Sequence, residues 1–205
     1  YFFAVSGDSA TRRSPGTLSY EQYRAGDWAT HHVEWAKGEV IDMAPVSGEH
    51  DDITVFLLSI INVFVQQRKL GVFRKEPFQM KTGPDLPGRS PDLMYISNAN
   101  LPRLHKTFLD GPADLVIEVV SPGSAAIDRG EKFDECRQGG VKEYWLLDPL
   151  RRQAEFYQLN NDQFRPLPCE GEIGRRSGLT GLWFNVTWLW ARPVVLGVLK
   201  QWGLI

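Results

Sequence analysis

The chain predicts a single α/β domain, a mixed sheet flanked by helices, and three features carry that prediction. The run from Leu115 to Val120 is almost wholly aliphatic and stops at a Ser-Pro-Gly breaker, the pattern of an interior strand covered on both faces. Between Asp51 and Lys69, apolar residues at Ile53, Phe56, Leu57, Ile60, Ile61, Phe64 and Val65 recur at three and four, which makes one long amphipathic helix. Helical and strand patterns alternate along the 205 residues, and 42% hydrophobic residues suffice for one core.

Residues 1–16, rich in Ser, Gly, Arg and Pro without periodicity, are expected to form a flexible leader, with the folded domain over 17–205. Thr17-Leu-Ser-Tyr-Glu21 starts a short helix that ends before Gly26. Strands follow at His31 to Ala36 and Glu39 to Ala44, joined by Lys37-Gly38, a pair suited to a tight hairpin. After the long helix come short strands at Val72 to Arg74 and Phe78 to Lys81, a loop from Thr82 to Gly88, and a strand entered through Asp92. A polar connection over 98–111, with a short helix, leads to the aliphatic strand. A helix from Ser124 to Gly139 and a strand from Glu143 to Asp148 come next, then an outer hairpin of Ala154 to Leu159 and Gln163 to Leu167. The tail holds Trp183, Trp188, Trp190 and Trp202, with Val195, Val198, Leu199 and Trp202 on one helical face. So much aromatic surface suggests either core or an interface, and a homodimer built through the tail is expected.

A net charge of −2 excludes a protein that coats nucleic acid nonspecifically, because that mode neutralises many phosphates. Any nucleic-acid contact must be a local patch, for which Arg68-Lys69, Arg74-Lys75 and Lys81 are the candidates. Cys136 and Cys169 show no metal-ligand spacing and read as reduced thiols of a cytoplasmic protein. Tyr1 to Val5 is too short for a signal core, and Leu182 to Leu199 is interrupted by Asn185, Thr187, Arg192 and Pro193, so neither export nor a membrane span is expected.

The residues that carry chemistry are few. Glu118 lies amid aliphatic neighbours, where an ionised carboxylate needs a partner or a metal. Asp92 stands at the mouth of the neighbouring strand, and Lys132 on the helix that follows Glu118. Two acids and a lysine at one sheet edge suit a metal-dependent phosphodiesterase. Each has a plainer reading: Asp92 as a turn cap, Lys132 in a helical ion pair with Asp128, Glu39 as a solvated strand residue, His50 as a surface residue opening a helix.

The stretches Val33 to Pro45, His50, Pro91-Asp92, Pro112 to Pro122, Asp128 to Lys132 and Gly140 to Pro149 resemble, in that order, the Uma-two family of bacterial proteins assigned to the PD-(D/E)XK nuclease fold. The resemblance spans roughly residues 17–200. It implies a restriction-endonuclease-like domain and an Mg²⁺-dependent endonuclease, Mn²⁺ serving as a substitute, acting on DNA. The metal ligands would be Asp92, Glu118 and the Val119 carbonyl, with Lys132, Glu39 and His50 completing the catalytic set. The lysine of the broad fold, two positions after the Glu, is here Val120, and Lys132 takes its place from the next helix. The alternative is a homo-oligomeric binding or regulatory module that keeps the fold without catalysis.

Overall fold

The structure, a computed structural model, describes residues 12–13, 17–26, 33–43, 45–167, 173–174, 179 and 181–205. The first half of the chain forms β1 (Arg12–Arg13), α1 (Tyr20–Ala25), β2 (Val33–Ala36), β3 (Glu39–Asp42), α2 (Gly48–Gln67), β4 (Gly71–Lys75), β5 (Gln79–Lys81), β6 (Gly88–Arg89) and β7 (Leu93–Ser97). A 3-10 turn over Asn98–Arg103 leads to β8 (Phe108–Asp110) and β9 (Leu115–Val119). A wide helical turn over Ile127–Glu131 runs into α3 (Lys132–Gly139). The remainder is β10 (Glu143–Asp148), β11 (Gln153–Asn160), β12 (Gln163–Pro166), β13 (Ile173–Gly174), β14 (Phe184–Asn185), α4 (Trp188–Ala191) and α5 (Val195–Gln201).

Local chemistry accounts for most of these boundaries. The Ser19 hydroxyl accepts from the Gln22 N–H while the Gln22 side chain accepts from the Ser19 N–H, a reciprocal cap that starts α1. Ser47 caps α2 through the His50 N–H. Lys37 and Gly38 both take positive φ, 52° and 85°, as a two-residue hairpin turn with the native strand twist requires.

One mixed sheet was expected, and two six-stranded sheets are found, with β13 and β14 as a separate ribbon. The central sheet runs β12-β11-β10-β9-β7-β4, with β9 parallel to β10 and antiparallel to β7. The second runs β1-β3-β2-β6-β5-β8. Strands of two to four residues build it, too short for alternation to register, and β6 and β8 fall where the sequence reads as loop and polar connection. Within the expected leader, Arg12 and Arg13 pair with Asp42 and Ile41, while the other leader residues lie outside those described.

Alternation along β9 sets the two cores. Leu115, Ile117 and Val119 join the α2 stripe, Trp145 and the tail on one face, while Val116 and Val120 join Cys136, Tyr144 and Leu146 beneath α3. Glu118 shares the parity of the α3 face, which is what brings it to Lys132. The tail packs on its own chain: Trp202 meets Phe64 edge-on at 5.4 Å and donates to the Trp183 carbonyl at 2.8 Å. Trp183, Trp188 and Trp190 pack half-buried against the same core. Among the described residues no helix is long and apolar enough to cross a membrane. Cys136 is a buried free thiol, and Cys169 lies outside the described residues.

Asp114 staples β7 and β9 at the ends away from Asp92 and Glu118. Its carboxylate accepts from the Ser97 N–H and Asn100 Nδ2, both at 2.7 Å, and from Lys142 Nζ at 2.6 Å. Burial pushes its carboxyl upward, but Lys142, the Ser97 N–H and Asn100 outweigh it and hold it below the usual carboxylate range. Because the folded pKa is depressed, this stabilisation is complete above the unfolded value near about pH 4 and is lost as pH falls through the lower folded value. Asp114→Ala should lower stability by about 2 kcal/mol in urea titrations at pH 7, mostly through the two short bonds, since Lys142 is solvated. The loss should shrink below about pH 3.5.

Candidate active site

Asp92 immediately precedes β7, held there by Pro91, and Glu118 sits in the adjacent strand β9. The Asp92 N–H lies 3.5 Å from Glu118 Oε2. Asp92 Oδ2 accepts from the Val119 N–H at 2.6 Å and pairs with His50 Nε2 at 3.2 Å. These contacts fix the rotation of the Asp92 carboxylate. Lys132 Nζ lies 3.2 Å from Glu118 Oε2, 3.4 Å from Asp128 Oδ1 and 3.3 Å from Glu34 Oε1. Lys132 and Glu118 are only 3% and 2% exposed. The group opens into a cleft also lined by Ser90, Glu76, Ser121 and Ser124.

The helix geometry that delivers Lys132 is unusual. Over Ile127–Glu131 the helix widens, and the Lys132 N–H reaches back to the Ile127 carbonyl, a π-type turn of the kind found at functional sites. It turns Asp128 and Lys132 together toward the sheet, and Tyr144 Oη ties the turn down by donating to the Asp128 carbonyl at 2.9 Å.

Charge in the cleft is unbalanced. Glu34, Asp92, Glu118 and Asp128 surround one ammonium. Burial raises the Glu118 carboxyl well above the carboxylate range, and Asp92, Asp128 and Glu34 add to that against the pull of Lys132. Asp128 is also raised, by burial first. Glu34 goes the other way: burial is outweighed by Lys132, Arg89 and the Ser90 N–H, and its pKa falls. Burial would strip the proton from Lys132, but Glu118, Glu34, Asp128 and Asp92 hold it firmly charged. Burial likewise lowers His50, and the Asp92 hydrogen bond with the charges of Asp92, Glu76 and Asp128 raises it in balance.

Such a cluster calls for a further cation. Glu118 Oε1 is buried without a hydrogen-bond partner, and Asp92 lines the same cleft. Among the described residues no three His, Cys, Asp or Glu side chains form a ready-made metal cage. The donor set fits a hard ion that takes one or two carboxylates and keeps its waters, as Mg²⁺ does.

Five of the sequence-predicted residues therefore meet: Asp92, Glu118, Val119, Lys132 and His50. Glu39 does not. It starts β3 opposite Ala36 at the hairpin turn, half-buried and off the cleft lining, and the acid this hairpin supplies to the cluster is Glu34. The Asp128–Lys132 pair exists, but as part of the buried cluster and not as an exposed helical pair. Lys81 also leaves the expected basic patch: it is buried, and its ammonium donates to the carbonyls of Gly83, Pro84 and Leu86.

Behind the cleft stands Arg89, 1% exposed. Its Nε and Nη2 grip Glu135 at 2.8 and 3.0 Å, Nη1 reaches Glu34 at 3.2 Å and Nη2 reaches Glu131 at 3.1 Å. Nothing in the local sequence marks this arginine, since its three partners are 42 to 55 residues away.

Fold and site together define an α/β protein with a two-carboxylate, one-lysine cleft at the ends of adjacent strands. The chain belongs to the Uma2 family, described as "Putative restriction endonuclease", whose pattern matches residues 19–187. It is 24% identical over 144 residues to the uncharacterized protein sll1609 of Synechocystis sp., a match covering 70% of this chain and 81% of that one. The crystal structure of a "putative nuclease belonging to DUF820" from Anabaena variabilis superposes with a TM-score of 0.70 at 19% identity, over 86% of this chain and 98% of the other, a likeness of fold.

Arg89→Ala would leave Glu135 buried without its cation and Glu34 with Lys132 alone. We expect it to cost about 3–5 kcal/mol in chemical denaturation. Arg89→Lys should recover little, because an ammonium lacks the paired Nε and Nη2 donors that grip Glu135 in parallel.

Proposed function

We propose that this protein is an Mg²⁺-dependent endonuclease that hydrolyses phosphodiester bonds of DNA, Mn²⁺ serving in place of Mg²⁺. The observation that carries the reading is the convergence of Asp92, Glu118 and Lys132 in one cleft, with the surplus of buried carboxylates over cations. Asp92, Glu118 and the Val119 carbonyl would hold the ion. When bound, it would polarise the phosphoryl oxygen and lower the pKa of a coordinated water.

The chain's own residues have separable parts in this reading. His50 and the Val119 N–H hold the Asp92 carboxylate in one orientation. Lys132 keeps its proton at neutral pH, so it acts as a donor that steadies the attacking water or a phosphate oxygen, having no lone pair to ligate metal. Glu34 and Asp128 hold that ammonium beside Glu118. Glu39 takes no part.

One observation favours the second reading, a non-catalytic binding module. Lys132 is ringed by three acids and fully enclosed, as a purely structural ion cluster would have it. Catalysis separates the two. Supercoiled plasmid should be nicked with Mg²⁺ or Mn²⁺ and left intact with a chelator, and Asp92→Ala should cut at least roughly a hundredfold more slowly. No nicking by the wild-type chain with either ion would select the module.

Metal binding gives a second, independent check. Calorimetric Mn²⁺ binding should be lost in Asp92→Asn and in Glu118→Gln. Lys132→Ala should keep Mn²⁺ binding while losing cleavage, and Lys132→Arg should rescue poorly because the two cations differ in shape. Mn²⁺ binding that persists in both acid variants would remove the metal site.

A further inference from the structure

We infer that the Ser90 hydroxyl is a substrate contact, a donor to a phosphoryl oxygen of the DNA strand in the cleft; the inference rests on the nuclease reading above. Ser90 is 3% exposed and lines the cleft, yet its Oγ has no hydrogen-bond partner among the described residues. A buried hydroxyl left unmatched destabilises the fold, and where a fold keeps one beside a cleft a ligand is the natural partner.

Its position is fixed from two sides. The Ser90 N–H donates to Glu34 Oε1 at 3.0 Å, and Pro91 behind it restricts Ser90 to an extended backbone. The same Glu34 oxygen lies 3.3 Å from Lys132 Nζ. Serine and lysine are thereby anchored to one atom and stand on one wall of the cleft. The hydroxyl is a preorganised donor of the kind that stabilises charge on an oxyanion.

The chemistry selects the phosphoryl oxygen as its partner. The cleft is crowded with acceptors, and its charged donors already face acids, Lys132 three carboxylates and His50 Nε2 the Asp92 carboxylate, while His50 Nδ1 and Ser90 Oγ are left without a partner among the described residues. A polyanion entering such a site needs neutral donors beside the metal position. Ser90 supplies one that no acid of the protein occupies.

Two variants test this through binding, stability and rate. With Ca²⁺ replacing Mg²⁺, binding of a fluorescent DNA duplex should weaken at least about fivefold in Ser90→Ala, and Ser90→Thr, which keeps the hydroxyl, should bind like wild type. The melting temperature of Ser90→Ala should equal or exceed that of wild type, because no protein hydrogen bond is lost. With Mn²⁺, cleavage by Ser90→Ala should fall by roughly tenfold or more. Ser90→Ala that binds duplex as tightly as wild type, or a wild-type chain that binds none, would overturn the inference. Binding that depends on Ser90 without any cleavage would keep the contact and reject the nuclease.

Discussion

The ammonium of Lys132 stands against three buried carboxylates, and the local structure depends on that balance. Each acid comes from a different part of the fold: Glu34 from the second sheet, Glu118 from the middle of the central sheet, Asp128 from the widened helical turn. An isolated buried charge is costly, so these groups help one another to stay ionised where they sit. The ion cluster thus works as an alignment device. It makes the position of the helix relative to the two sheets a condition for satisfying charge, whereas apolar packing alone tolerates small slips.

Arg89 extends the same logic outward. It takes up Glu34 from one side while Lys132 takes it from the other, and it draws Glu131 and Glu135 of the helix onto β6. That short strand pairs with β2 through Trp35 and Gly88, so the strand bearing Glu34 and the chain leading to Asp92 are bound by backbone and charge at once. Glu34 is the one acid of the cluster whose pKa is lowered, because it alone touches both cations. Glu118 is pushed up first by burial and then by the neighbouring acids, more than Lys132 offsets, and a metal is chemically welcome there.

The elements with strong periodicity were legible in the sequence. The stripe from Ile53 to Val65, the aliphatic strand around Glu118 and the Lys37-Gly38 turn all occur within a few residues of where pattern and turn chemistry place them. Asp92, Glu118 and Lys132 were legible because a carboxylate in an aliphatic run and a lysine on the next helix are local signals. The second sheet was not, since strands as short as Gly88–Arg89 are made by pairing and not by propensity. The local sequence does not single out Glu34 from Glu39 for a related reason. Both lie in the same hairpin and on the same face of it, and only the distant Arg89 and Lys132, which reach Glu34 away from the turn, decide which one joins the cluster. The tail's tryptophans illustrate the converse: composition showed that they must be covered and could not show that α2 covers them.

The unsatisfied polar atoms add a last constraint. His50 Nδ1, Ser90 Oγ and Glu118 Oε1 are all buried, all without a hydrogen-bond partner among the described residues, and all belong to residues of the one cleft. Asp114 and Lys81, away from the cleft, are tied down with three bonds each. Among the described residues Ser97 Oγ, Arg129 Nε and Arg192 Nη1 are open elsewhere, but the cleft gathers both an acceptor, Glu118 Oε1, and a hydroxyl donor, Ser90 Oγ, in one place. An apolar cleft or a pure ion cluster would have no use for that combination. A ligand that presents a cation to Glu118 and oxygens to Ser90 resolves it in a single binding event, which is what a metal-bound phosphodiester offers.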